Sequence, residues 1–152
     1  MDGPARIPLL SLILGYCAML PFAIGALAAW LLAGAAAPAT DLVVLWGGAI
    51  LAFLAGVRRG LSFRTDGGPT AAQIGMTLWL FILGLSALAL PSRTVALVLL
   101  LAGYASLMPL DPWAARRGEV PLFFEHLRPV QMTIPVFSLA GLLILMLWSR
   151  PA

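Results

Sequence analysis

The run "FFEHLRP" sets a carboxylate, an imidazole and a guanidinium, those of Glu125, His126 and Arg128, within one helical turn. An imidazole titrates near neutrality, so a histidine beside a carboxylate has the chemistry of a proton shuttle. The spacing works against it, because adjacent residues on a helix point about 100° apart and need not converge on one substrate. His126 is also the only histidine, so a metal site would have to recruit distant carboxylates such as Asp111 or Glu119. The single cysteine, Cys17, lies in an apolar run and reads as a small hydrophobe, with no disulfide framework available within one chain. Glycine-rich phosphate loops, the HExxH helix and the GxSxG elbow are absent from the sequence. We therefore expect no catalytic residue, no metal and no cofactor; quinone, haem and chlorophyll find no support in a lone histidine.

A second constellation lies in "GGAILAFLAGVRRG", residues 47–60, where small residues recur at every fourth position and two arginines follow. Positions four apart step by about 40° around a helix, so Gly48, Ala52, Gly56 and Gly60 form a slowly winding groove. Such a groove lets a second helix backbone come close and gain dispersion contacts that lipid tails supply less well. Packing within the chain is the first expectation and contact with another subunit the second. Arg58 and Arg59 close the run; together with Arg116, Arg117 and Arg128 they are candidates for holding anionic lipid head groups.

The elements that must carry these residues follow from composition. Of the 152 residues 62% are hydrophobic and 10% charged, against about a quarter charged in an average soluble domain. Such a chain has too little polar surface for a water-soluble fold and divides naturally into membrane spans of about 20 residues. Apolar stretches occupy approximately 7–34, 42–62, 71–90, 94–110 and 130–148. The expected fold is a single all-α, polytopic membrane helical bundle of about five transmembrane helices. An outer-membrane barrel would show alternating segments of about ten residues, and none is visible. Pro21 falls inside the first stretch, where it kinks a span without ending it. "AAAPAT" after that stretch offers small residues of the kind cleaved after a signal sequence, but the apolar segment far exceeds a signal core and only Arg6 precedes it. The first helix is expected to be retained.

Every basic residue is arginine. Arg6, Arg58, Arg59, Arg64, Arg116, Arg117 and Arg128 fall on one side of the five spans, Arg93 and Arg150 on the other. Short loops rich in arginine stay cytoplasmic, which places the N-terminus inside and the C-terminus in the periplasm. The net charge of +3 thus meets anionic membrane lipid, and no nucleic-acid-binding pattern accompanies it. Trp46 is expected in the aromatic belt at the outer interface. Between the fourth and fifth spans, Asp111 followed by Pro112 has the form of a helix start, so a short interfacial helix is expected there. Its Trp113, Leu122, Phe123 and Phe124 would dip into the membrane boundary while Arg116, Arg117, Glu119, Glu125 and Arg128 stay wet.

"LGYCAMLPF", "WGGAILAFLAGVRRG", and Asp111 followed by "GEVP" and Leu127–Arg128 resemble the domain-of-unknown-function family 3429, small bacterial membrane proteins related to mitochondrial transmembrane protein 69. The resemblance extends over most of the chain and carries no catalytic signature. Members typically have a histidine and an aromatic residue where this sequence has Arg58 and Arg59, so no role is carried over to those positions. The resemblance implies a multi-pass helical protein of the bacterial inner membrane. Two functions compete. The first is a non-catalytic accessory, assembly or scaffold component, with membrane lipids and other membrane protein subunits as partners. The second is a small carrier or lipid-handling protein that binds anionic head groups through its interfacial arginines.

Overall fold

In lipid, every backbone amide and carbonyl must find its partner within the protein, and a chain of apolar runs meets that demand by coiling into helices. The computed structural model describes residues 9–148 and consists there of six helices joined by short turns. They are α1 Leu9–Cys17, α2 Leu20–Leu31, α3 Ala36–Ser62, α4 Ala71–Ala89, α5 Arg93–Arg116 and α6 Phe124–Trp148. With α1 and α2 forming one broken span, Leu9–Leu31, five helical segments are long and apolar enough to cross a membrane. Arg6 and Arg150 lie outside the described residues.

The break between α1 and α2 has a local cause. Pro21 brings no amide proton, and the chain tightens: the Met19 amide donates to Tyr16 O at 2.9 Å and the Phe22 amide to Met19 O at 3.2 Å. The Ala18 carbonyl accepts instead from the indole of Trp46 at 2.9 Å. Trp46 therefore does not sit at the end of its span. The helix expected from residue 42 starts at Ala36, with Pro38 in its amide-free first turn, and this places Trp46 three turns in, opposite the break.

The centre of the bundle is built around Tyr104. Its hydroxyl donates to Gly47 O at 2.8 Å, and its ring meets Phe22 edge-on, with centroids 5.1 Å apart. This joins α5 to α3 and α2 in the apolar core, where Leu51, Leu97 and Leu100 are fully buried. Leu51 occupies the space that a side chain on Gly103 would fill. Helices α3 and α4 cross at glycine: a Cβ on Gly84 would lie 3.0 Å from Gly48 O and 3.3 Å from Ala52 N.

At α5 the structure corrects the expected break. The helix does not stop at residue 110 to restart as an interfacial helix; it runs through Pro109 and Pro112 to Arg116, and α6 begins at Phe124. Prolines are tolerated in packed membrane helices because neighbouring groups take up the freed backbone. Here the side chain of Asp111 also ties this stretch into the bundle. Tight turns finish the connections. Gly67 and Gly68 both adopt positive φ, and Thr70 and Gln73 form a capping box that opens α4.

Candidate functional site at the arginine-rich end

Because α3, α4, α5 and α6 alternate in direction, residues 63–70 and 117–123 lie at the same end of the bundle. Arg58, Arg59, Arg64, Arg116, Arg117 and Arg128 gather there, and Arg93 stands at the opposite end. At that opposite end Arg93 grips Asp41 with two contacts, Nε to Oδ1 at 2.5 Å and NH2 to Oδ2 at 2.8 Å, on a surface about half open.

Asp111 organises the arginine-rich end. Its side chain is 4% exposed. Arg58 of α3 donates to its Oδ1, and Arg128 of α6 places Nε 3.3 Å from its Oδ2. One carboxylate on α5 thus holds an arginine from each flanking helix. Bringing charges out of water is costly, and the cost is met only where opposite charges and hydrogen bonds replace the water. Arg58 meets that condition. Arg128 meets it in part: it is 9% exposed, its guanidinium lies 4.5 Å over the Phe124 ring, and its Nε has no hydrogen-bond partner despite the nearby oxygen. Two guanidiniums against one carboxylate leave one positive charge in excess.

Each of these arginines also lines a pocket. Arg58 stands at one end of a pocket of about 440 Å³ between α3, α4 and α5, walled by Met76, Trp79, Leu110 and Trp113 and bordered by Glu119. Arg128 lines a cleft of about 290 Å³ between α1, α3 and α6, together with Leu14, Phe53, Leu54, Phe124 and Gln131. Apolar walls ending in a cation suit an amphiphile with an oxyanion head, since guanidinium binds carboxylate and phosphate through charge-assisted hydrogen bonds.

The other residues singled out in the sequence divide plainly. Arg59 donates to Ser62 Oγ at 3.0 Å and stacks on Phe63. Arg116 pairs with Glu125 at 2.7 Å, and Arg117 pairs with Glu119 at 3.1 Å while covering Trp113. These three stay outside the buried cluster. Arg128, expected to be wet, is buried. His126 is exposed, and Glu125 faces Arg116. Of the four small residues on α3, Gly48 and Ala52 meet Gly84, whereas Gly56 and Gly60 face open space. Among the described residues no three of His, Cys, Asp and Glu converge as metal ligands would. Asp111 as the hub, Gly84 as the crossing partner and Tyr104 as the central donor were not anticipated. A carboxylate inside an otherwise apolar run was the available signal for the first, since such a group in a membrane helix needs a partner.

The chain belongs to the family described as "Protein of unknown function (DUF3429)", whose model matches residues 7–145. No curated protein matches, and no solved structure matches.

Proposed function

We propose that the chain works as a non-catalytic accessory, assembly or scaffold component of a membrane complex, seated in the bacterial inner membrane with its arginine-rich end in the cytoplasm. The observation that supports this reading is α1. None of its nine residues is buried, and Leu9, Leu10 and Ile13 are exposed. A helix that adds so little to its own bundle offers a face on which another membrane protein gains dispersion contacts. Gly56 and Gly60, open on α3, extend the small-residue surface available to such a partner. Mild detergent extraction followed by native mass measurement tests the reading. The expected result is a defined assembly larger than the 16.0 kDa chain; a bare monomer under every mild condition would contradict it.

A second reading, a lipid-handling protein, is favoured by Arg58 at the end of its apolar, tryptophan-lined pocket. It predicts a monomer that carries a defined lipid through purification.

A further inference from the structure

We propose that the cleft between α1, α3 and α6 is a binding site for an anionic bilayer phospholipid, the Arg128 guanidinium receiving its phosphate and the apolar walls the upper part of one acyl chain. The inference deepens the lipid-handling reading, on which it rests, and places the site at Arg128, in the cleft beside α1, instead of at the Arg58 pocket. Four observations carry it.

Arg128 is more than nine-tenths buried, yet its Nε has no hydrogen-bond partner. That nitrogen faces Asp111, and among the described residues the two terminal nitrogens of the guanidinium make no hydrogen bond, so a residue that lines the cleft keeps donor capacity. Charge complementarity is the second observation. Arg58, Asp111 and Arg128 sum to one positive charge, which a phosphodiester neutralises. The third is depth. Arg58 and Asp41 are seventeen positions apart on α3, a rise of about 26 Å, close to the hydrocarbon thickness of about 30 Å. The cluster accordingly lies at head-group level. The fourth is shape. Phe53 and Leu14 on the rim are 65% and 61% exposed, so the cleft is open sideways where a bilayer chain would enter. Gly15 leaves room for the Gln131 amide, which would otherwise meet a Cβ at 2.7 Å. At about 290 Å³ the cleft is near the lower limit of small-molecule sites, about 300–1,000 Å³. It takes part of a lipid and leaves the rest in the bilayer.

The test uses the full chain in mild detergent, loaded from vesicles of phosphatidylglycerol or of phosphatidylcholine, with retained lipid counted by native mass spectrometry after detergent exchange. Wild type is expected to retain phosphatidylglycerol in preference to phosphatidylcholine. Arg128→Gln is expected to lose about tenfold in retention, the loss of a charged hydrogen-bonding partner. Ala18→Phe fills the cleft while keeping every charge, and is expected to lose as much; should Arg128→Gln fail to fold, Ala18→Phe decides. Oleate and inorganic phosphate serve as competitors and are expected to leave the lipid in place. Displacement by phosphate alone would make this a plain anion site and overturn the proposal, as would preferential retention of oleate. Unchanged retention in Ala18→Phe overturns it as well. If Arg59→Gln and Arg116→Gln lose the lipid and Ala18→Phe keeps it, this site falls and lipid handling by the outer arginines stands.

Discussion

Replacing Asp111 by asparagine would leave the partly buried Arg58 and the buried Arg128 without the carboxylate they share. Breaking a buried ion pair from one side costs about 3–5 kcal/mol, so Asp111→Asn should lower the thermal midpoint in detergent sharply, whereas Arg116→Gln, which breaks an exposed pair, should barely move it. Equal midpoints for the two variants would remove Asp111 from the centre of this account. Tyr104→Phe makes a smaller test. It deletes only the hydrogen bond to Gly47 O in a fully packed site and should cost about 1 kcal/mol, read as a modest shift of the same midpoint. The residue types at the arginine-rich end were legible in the sequence, but their pairing was not. Arg58 and Asp111 are 53 positions apart, and no local pattern encodes a contact of that range. Locally, Asp111 before Pro112 has the form of a helix start; the ion pairs that hold it inside α5 override that preference.

The small-residue stripe of helix α3 divides into two halves with different surroundings. The crossing with α4 uses Gly48 and Ala52, and Gly84 is its other half. Gly84→Leu should push the two backbones apart and cost about 1–3 kcal/mol by overpacking. Gly56→Leu, facing open space, should leave the isolated chain as stable as wild type. The same variant should reduce the recovery of a copurifying protein if a partner covers that part of the stripe. A large loss of monomer stability in Gly56→Leu would instead mean that the stripe is packed within the chain. Periodicity identifies a groove, and it does so equally well for a neighbour in the same chain, a partner or lipid; only the position of α4 separates the two halves. The element boundaries were displaced for a similar reason. Prolines 38, 109 and 112 look like punctuation in a sequence, but they fall in a first helical turn or in a packed membrane helix, where they do not end it.

At the scale of the molecule, the all-helical, five-span plan follows from composition, because 62% hydrophobic residues in runs of about 20 leave a bilayer little else to accept. The two ionic layers, Arg93 with Asp41 at one end and Arg58 with Asp111 and Arg128 at the other, are separated along α3 by about the thickness of a hydrocarbon core. Six of the seven arginines among the described residues share one end. If that asymmetry sets the threading, the end bearing residues 63–70 and 117–123 faces the cytoplasm. Both functional readings depend on it, since it decides which leaflet supplies the lipid and which compartment supplies a partner. The most direct measurement is a pair of reporter fusions, one within residues 63–70 and one after Ala152. We expect the first to be active only in the cytoplasm and the second only in the periplasm; the reverse pattern in both would contradict the account.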